Sequence, residues 1–364
     1  MAYRDLRSFL DDLRAEGELA NVEVEVDPDQ EIGAICHKAS LEDGPALLFE
    51  RVKGSDLAHL TNVYGTRRRI ARAFGCDDYL ELAELWSDLI SRGGIPPTVV
   101  SDAPCQEVVL KGEEATLDLL PLTVGNEGDA GRYVTLGFCI GRNPETGVFN
   151  GAPYRMLRID GRQTTMNFDP GRDLGLIREE FLQAGEPAPV AVAIGVDPMT
   201  AHACVCPFNT EVDELAMAGA LLGGPLEMVR CKTIDLEVPA TAEIVLEGRI
   251  LMEGEHIDGP FGEYHGYYGG AHPVPIFEVT AITHRREPIY QGLYIGRPPN
   301  ENAFLETAPT ELDIHRQLKG VPGYRRFHMT IGGTRRNCIL QIQKHFEGHG
   351  KMAALAALGT AAGR

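Results

Sequence analysis

The hydrophobic positions near the start of the chain predict a small α/β unit. Four apolar residues recur at three- and four-residue steps, as on one face of a helix: Leu6, Phe9, Leu10 and Leu13. Valines alternate with glutamates over residues 22–26, which predicts a half-buried strand. Helical periodicity returns at residues 32–39 and 79–90, and a glycine- and proline-rich stretch follows at 93–97. We assign residues 1–104 to this N-terminal unit.

Short strands separated by turns dominate residues 105–297. The predicted strands are 133–140, 154–159, 163–168, 190–196, 243–246 and 277–283. Asp160-Gly161 lies between the second and third of these and is a strong signal for a two-residue hairpin. A helix is predicted at 211–222. Many short strands with one inserted helix predict a split, barrel-like middle domain.

A third α/β unit is predicted to begin after Arg297 and to occupy residues 298–364. Its predicted elements are a helix at 304–318, a strand at 338–343 and a helix at 352–358. An αβ unit that begins and does not close leaves an apolar face with nothing to pack on. We therefore expect an open apolar face around Leu355 and Leu358, and we expect the chain to be a fragment of a longer protein.

Composition and charge narrow the class of function. The 364 residues are 43% hydrophobic and 24% charged, which is enough for a sizeable core in a mixed α/β (α+β) protein. The formal net charge of −19 repels phosphate, so nucleic acid and anionic membrane are not expected as partners. No apolar run approaches the ~18 residues that a membrane span needs. The N-terminus opens into a charged amphipathic segment and does not resemble a signal peptide.

The eight cysteines predict no metal knuckle and no disulfide framework. They form no CxxC pair, and Cys204 and Cys206 are spaced too tightly for a usual zinc site. Most lie among apolar residues, where a thiol acts as a small hydrophobe. We interpret them as structural, reduced thiols and predict a cytoplasmic location.

Three polar clusters are candidates for chemistry. They are Phe149–Arg155, Glu211–Glu214 and the glycine-rich run Asp258–Gly270. Each also has a purely structural explanation: Asn150 can shape a turn, acidic residues suit a helix N-terminus, and glycines can form a mobile loop. Three such clusters in one predicted domain favour a functional site, but their spacing alone does not name a reaction.

Five stretches of the chain together resemble the UbiD family of decarboxylases, which includes polyprenyl-hydroxybenzoate, ferulate and heteroaromatic-acid decarboxylases. The stretches are Asn150–Arg155, Leu236–Gly248, Asp258–Tyr267, Gly296–Pro299 and Gly348–Lys351. The resemblance covers essentially the whole chain, and its motifs together are highly specific. It implies a central split β-barrel that binds prenylated FMN, a C-terminal oligomerisation domain, and reversible, non-oxidative decarboxylation of an aromatic, heteroaromatic or α,β-unsaturated acid.

The resemblance also implies a role for particular residues. Asn150 and Glu214 would bind a divalent ion, Mn²⁺ or Mg²⁺, for which hard oxygen ligands are suitable; K⁺ is a further candidate ion. The residues implied in cofactor binding are Asn150, Pro153, Tyr154, Arg155, Asn167, Phe168, Asp169, Arg172, Asp173 and Glu214. Arg155, Asp258 and Glu263 would form a carboxylate–arginine–carboxylate network, with Glu263 as the proton donor.

Two residues depart from the pattern of many relatives. Asp173 occupies the place of a histidine that serves as an extra metal ligand, so we expect either Asp173 or phosphate and water to complete the site. Asp258 stands where some branches have glutamate, which shortens the reach to Arg155 by one methylene. We further expect Phe261, Tyr264 and Tyr267 either to wall the substrate pocket or to serve only as core.

The partners implied are a small carboxylic acid as substrate, a flavin prenyltransferase as cofactor supplier, and further copies of the chain in a homodimer or homohexamer. Two alternatives stay open from the sequence. One is a non-catalytic homologue that binds flavin phosphate, and the other is an ordinary FMN oxidoreductase.

Overall fold

A computed structural model describes residues 3–209, 211–332 and 337–360. Its N-terminal region contains four helices and four strands: α1 Leu6–Ala15, β1 Leu19–Val22, α2 Glu31–Leu41, β2 Ala46–Phe49, β3 Ala58–Thr61, α3 Arg67–Ala73, α4 Tyr79–Ser91 and β4 Thr98–Val100. The apolar face predicted for the first helix is buried, and Asp5 caps that helix by accepting a hydrogen bond from the Ser8 amide. The first predicted strand is wrong in its bounds. It ends at Val22, and Val24 is 67% exposed.

The central region is rich in strands, as predicted. Its elements are β5 Val108–Lys111, β6 Tyr133–Val134, β7 Phe138–Arg142, β8 Phe149–Pro153, β9 Met156–Leu157, β10 Gln163–Thr165, α5 Asp173–Ala184, β11 Ala188–Ile194, α6 Pro198–Val205, α7 Glu214–Leu222, β12 Glu227–Arg230, β13 Glu237–Pro239, β14 Ile244–Asp258, β15 Phe261–Gly262, β16 Tyr268–Gly269, β17 His272–His284 and β18 Ile289–Gln291. The remaining elements are α8 Glu301–Leu318, β19 Tyr324–Met329, β20 Cys338–Ile342 and α9 His349–Leu358. The mixed α/β class predicted from the sequence is confirmed.

A seven-stranded antiparallel sheet forms the middle of the molecule. Its strand order is β10-β17-β14-β11-β7-β8, with β5 also paired to β17. The central strand β11 alternates between two buried faces, which explains its uninterrupted apolar sequence. A hairpin is present at Asp160-Gly161, since Arg158 and Thr164 form an antiparallel bridge across it. The predicted two-residue loop is wrong in length, because the Ile159 amide donates to the Gln163 carbonyl at 2.8 Å and leaves three residues, 160–162, in the loop.

Several boundaries in this region differ from prediction. The single strand predicted at 133–140 is divided into β6 and β7, and the one at 154–159 is reduced to β9. The helix predicted from Glu211 begins at Glu214, because the Asp213 side chain accepts the Ala216 amide and caps it. Helices α5 and α6 were not predicted. Helix α6 is buried nearly all round and therefore carries no amphipathic pattern.

The predicted units share one main core. Strand β18 joins the N-terminal sheet, whose order is β1-β2-β3-β18. Helix α8 contributes Phe304, Leu305, Ala308 and Leu312 to the same core as α1 and α4. Leu355 and Leu358 on α9 are each 61% exposed, as expected for the open apolar face. Residues 333–336 and 361–364 of the third predicted unit lie outside the described residues.

A buried carboxylate fixes the start of α8. Glu301 is 2% exposed and accepts hydrogen bonds from the backbone amides of Asn62 and Tyr64, at 2.5 and 2.8 Å. Burial raises the pKa of Glu301 from 4.5 to about 7, although these amides and the nearby Arg69 oppose the shift. The contact joins the N-terminal region to the helix that borders the site described below. Within the described ranges, no helix is both long and apolar enough to cross a membrane.

Candidate active site

One corner of the site forms where β8 meets the first turn of α7. Asn150 on β8 is 5% exposed, and Glu214 is the first residue of α7. The Glu214 carboxylate accepts hydrogen bonds from the Gly151 amide at 3.2 Å and from the Asn150 Nδ2 at 3.5 Å. Asn150 Oδ1 is buried and has no hydrogen-bond partner among the described residues. A buried carbonyl oxygen without a donor fits a site that accepts a cation.

The electrostatics of this corner also fit a cation. Burial raises the pKa of Glu214 to about 8, and the negative side chains of Asp173 and Asp213 add to that shift. Asp173, at the start of α5, borders the same cavity as Asn150 and Glu214. No group of three or more His, Cys, Asp or Glu side chains in the described part of the chain is placed to hold a metal ion.

Arg155 lies between two carboxylates at the centre of the site. Its Nε and Nη2 atoms contact Asp258 Oδ1 at 2.8 and 2.7 Å, and its Nη1 donates to Glu263 Oε1. Its guanidinium also lies over the Phe261 ring, 4.9 Å from the centroid. Burial alone would lower the pKa of Arg155, but the two carboxylates outweigh it and raise that pKa. The structure thus brings together the three residues predicted to form the network.

Asp258 is held rigidly at the end of β14. It is completely buried, and it accepts hydrogen bonds from Thr165 Oγ1 at 2.7 Å and from Asn167 Nδ2 at 3.0 Å. With Arg155, these donors satisfy both carboxylate oxygens, as a buried charge requires. Thr165 ends β10, which is next to β17 in the sheet, so the sheet register sets this geometry.

Glu263 is presented by the small hairpin of β15 and β16. Its amide donates to the Tyr267 carbonyl at 2.9 Å, and Asp129 anchors the preceding residue by accepting the Gly262 amide at 2.7 Å. Gly269 on β16 lies directly against the side chain. A Cβ there would be 2.9 Å from Glu263 Oε1 and 3.3 Å from its Cγ. Glycine is therefore needed at Gly269 for the carboxylate to reach Arg155.

Two adjacent cavities lie at this site, and the network borders the small one. The large cavity has a volume of about 740 Å³, and its wall includes most of the residues predicted to bind cofactor: Asn150, Pro153, Tyr154, Asp169, Arg172, Asp173 and Glu214. The small cavity has a volume of about 180 Å³ and contains Arg155, Asn167 and Glu263 in its wall. Pro153, Tyr154, Tyr264 and Glu306 border both. The large cavity is within the range that binds cofactors and drug-sized ligands.

Three predicted residues, Asp258, Phe168 and Tyr267, are not in the walls of these two cavities. Asp258 is completely buried and contacts Arg155. Phe168 packs edge-on against Tyr154, with ring centroids 6.1 Å apart, so it supports a cavity wall from behind. Tyr267 is 76% exposed on the hairpin, so it neither walls these cavities nor belongs to the core, and both alternatives predicted for it are wrong. Phe261 and Tyr264 do border the small cavity.

Two distant helices and a strand contribute walls that were not predicted from the sequence. These residues are Cys204–Phe208 at the C-terminal end of α6 and just beyond it, Asn302, Leu305, Glu306 and Thr310 on α8, and Met329 on β19. Helix α8 was predicted, but its helical pattern did not indicate which elements its polar residues face. Cys204 and Cys206 are buried, and burial raises the pKa of both thiols, which agrees with a structural role.

Comparison with known proteins places this geometry in a family. Residues 98–298 match the family model of the 3-octaprenyl-4-hydroxybenzoate carboxy-lyase Rift-related domain, and residues 10–89 match the model of its N-terminal domain. An evolved dimeric form of the UbiD-class enzyme HmfF from Pelotomaculum thermopropionicum, in complex with prFMN, is 36% identical with a TM-score of 0.91. The alignment covers 98% of this chain and 82% of that one.

Two further solved structures are similar. The vanillic acid decarboxylase of Sedimentibacter hydroxybenzoicus, in an open form, is 30% identical with a TM-score of 0.92, over 100% of this chain and 79% of that one. The 3,4-dihydroxybenzoic acid decarboxylase of Enterobacter cloacae, in its apo form, is 28% identical with a TM-score of 0.89, over 98% and 79%. Family models that span more than half of the chain, together with these likenesses, show that the chain belongs to the UbiD family of carboxy-lyases.

Proposed function

We propose that this enzyme catalyses the reversible, non-oxidative decarboxylation of an aromatic, heteroaromatic or α,β-unsaturated carboxylic acid, using prenylated FMN and a divalent metal ion. The observation that carries the proposal is the placement of Arg155 between Asp258 and Glu263, with Arg155 and Glu263 in the wall of the small cavity, which shares wall residues with the large one. The comparisons support it, since similar chains include a prFMN complex and two aromatic-acid decarboxylases.

The large cavity fits a flavin nucleotide and its metal ion. Asn150 Oδ1 and the Glu214 carboxylate would hold Mn²⁺ or Mg²⁺, with Asp173 or the cofactor phosphate as a further oxygen donor. Tyr154, Asp169 and Arg172 would surround the rest of the cofactor. When bound, prenylated FMN supplies an electron sink for the carbon that loses CO₂, which no protein side chain supplies.

Arg155 and Glu263 would act on the substrate and its proton. The guanidinium remains charged at any working pH, so it can orient both the substrate carboxylate and Glu263. Glu263 would donate a proton to the carbon from which CO₂ has left and recover one from solvent. In the overall reaction, the bond between the substrate carbon and its carboxylate breaks to release CO₂, and a carbon–hydrogen bond forms at the same carbon with the proton from Glu263. Asp258, held by Thr165 and Asn167, would keep Arg155 in position.

The test measures CO₂ release by the protein after it has been co-produced with a flavin prenyltransferase, which we propose as the cofactor supplier. Cinnamic, heteroaromatic and hydroxybenzoic acids would be supplied in turn, and the matched control is the same chain loaded with FMN alone. CO₂ release only by the prenyltransferase-matured chain supports the proposal. NAD(P)H-dependent bleaching of the flavin without CO₂ release from any acid would replace it with an FMN oxidoreductase.

Assembly belongs to the same proposal. We expect a homodimer or homohexamer, and the dimeric form of HmfF supports self-association within the family. Light scattering of the cofactor-loaded chain measures the mass directly, and a monomer at micromolar concentration would contradict this part.

A further inference from the structure

A third cavity borders the corner formed by Asn150 and Glu214. It has a volume of about 240 Å³ and is bounded by β8, α5 and the start of α7. Asn150, Asp173 and Glu214 belong both to its wall and to the wall of the large cavity. The side chains proposed to hold the divalent ion therefore border two spaces, of which the large cavity is the one proposed for the flavin nucleotide.

The charged side chains in the wall of this third cavity are all acidic. Among the described residues they are Asp173, Glu180, Glu211 and Glu214, and we call this space the acidic cavity. The wall of the large cavity contains Arg172 as well as carboxylates, which suits a phosphate group. A cleft lined by one sign of charge raises the local concentration of counter-ions. The acidic cavity therefore attracts cations and repels the phosphate of a flavin nucleotide.

Two buried oxygen atoms of residues in this wall have no hydrogen-bond partner among the described residues. One is Asn150 Oδ1, on a residue that is 5% exposed, and the other is Glu180 Oε2. The second oxygen of Glu180, Oε1, accepts a hydrogen bond from Asn143 Nδ2 at 2.9 Å, which fixes this carboxylate on the wall. Buried oxygen atoms with unused lone pairs are suitable partners for a hard cation and for its bound water.

The acidic cavity extends from the buried corner to the protein surface. Asn150 and Glu214 are buried, whereas Glu211 and Thr146 are exposed and Leu176 is 45% exposed. A water molecule takes about 30 Å³ in the liquid, so about 240 Å³ is enough for a divalent ion with an octahedral shell of waters. Mg²⁺ loses its waters reluctantly, and this space lets the ion keep them until it meets its ligands.

We propose that the acidic cavity is the route by which the divalent metal ion enters and leaves its site while a flavin nucleotide fills the large cavity, and that Glu180 and Glu211 guide the ion. The inference rests on the proposed function for the metal ion and for the flavin in the large cavity. It goes beyond that function because it assigns a role to two carboxylates outside the walls of the large and small cavities.

The first experiment compares metal exchange with flavin release. Protein loaded with FMN and Mg²⁺ is mixed with an equal concentration of Mn²⁺, and loss of the electron paramagnetic resonance signal of free Mn²⁺ reports its binding. The fluorescence of FMN after dilution reports its release from the same protein. Because the cofactor does not block the acidic cavity, Mn²⁺ should replace Mg²⁺ at least about tenfold faster than FMN leaves. Metal exchange at the rate of FMN release would show that the ion passes through the large cavity and would overturn the inference.

Two charge variants test the guiding residues. Glu180→Gln and Glu211→Gln keep the size of each side chain, and loss of one negative charge from the route should slow Mn²⁺ exchange about 3- to 10-fold in each. The dissociation constant for Mn²⁺ should change less than the rate, since neither side chain is a proposed ligand. Glu179→Gln, at an exposed position on the same helix as Glu180, is the matched control and should leave exchange unchanged. Weaker Mn²⁺ binding with faster exchange in the charge variants would indicate ligands and would overturn the guiding role.

A steric variant narrows the route without a change of charge. Leu176→Trp places a bulky ring at the exposed end of the acidic cavity, so Mn²⁺ exchange in FMN-loaded protein should slow more than in either charge variant. Thermal melting confirms that each variant is folded, and the remaining variants decide the question if one of them is not.

The outcomes separate the route from the proposed function. Unchanged exchange in the folded Glu180, Glu211 and Leu176 variants, with Mn²⁺ still bound, would overturn the route and leave the metal site in place. Absence of bound Mn²⁺ from FMN-loaded protein would instead overturn the metal ion of the proposed function, and the route with it.

Discussion

Replacement of Glu263 by glutamine removes the proposed proton donor with little change in shape. The new carboxamide would keep an oxygen for the Arg155 guanidinium, and the hairpin hydrogen bond between the residue 263 amide and the Tyr267 carbonyl does not involve the side chain. The side chains of Glu263 and Arg155 are only 23% and 14% exposed, and Arg155 keeps Asp258, so loss of this charge pair should lower stability by about 1.5–3 kcal/mol. General acid catalysis contributes ~10²–10⁴ in rate, or about 3–5 kcal/mol of barrier.

The assay follows both directions of the proton transfer. Turnover of Glu263→Gln should fall by about 10²–10⁴, while flavin content stays at the level of the unmodified chain. Because the same group acts as base in reverse, exchange of the product's hydrogen with deuterated water should be lost as well. Glu253→Gln, at an exposed position of β14, is the matched control. Near-normal turnover with undiminished exchange in flavin-loaded Glu263→Gln would remove this residue from the mechanism.

Three other changes test the supporting structure. Glu214→Ala should release both the metal ion and the flavin, and retention of both at full stoichiometry would refute its role as a ligand. Gly269→Ala should displace the Glu263 carboxylate from Arg155, because the added Cβ would be 2.9 Å from Oε1 of Glu263. Turnover should therefore fall at least about tenfold while the flavin is retained. Full activity of Gly269→Ala would refute the importance of the contact between Glu263 and Arg155. The folded-state pKa of Glu301, about 7, lies above its ordinary 4.5, so its contribution to stability is complete below pH 4.5 and is lost as pH rises to 7. That loss of stability is about 3 kcal/mol. In Glu301→Gln, the unfolding free energy measured between pH 4.5 and 7 should depend less on pH. An unchanged slope would refute the proposed titration of Glu301.

Local patterns were sufficient for many of the elements, although α3 and α5 are among those that were not predicted. The apolar spacing at Leu6–Leu13 and the turn at Asp160-Gly161 predicted α1 and a hairpin, because both signals lie within a few residues. The hydrophobic pattern did not predict α6, because a helix that is buried on every side has no polar face and so no 3.6-residue alternation of apolar and polar residues. It also failed at strand ends, where pairing partners and not local sequence decide how far a strand extends.

The sequence by itself also determined much of the candidate site, through the family motifs that contain Asn150, Arg155, Asp258 and Glu263. The tertiary structure alone decided which further residues meet them. Asn302 and Glu306 reach the small cavity because Glu301 binds amides that are almost 240 residues earlier in the chain, at Asn62 and Tyr64. Such contacts depend on how helices pack and sheets register over long sequence separations. No motif or period in the neighbourhood of α8 encodes which cavity its polar face will border.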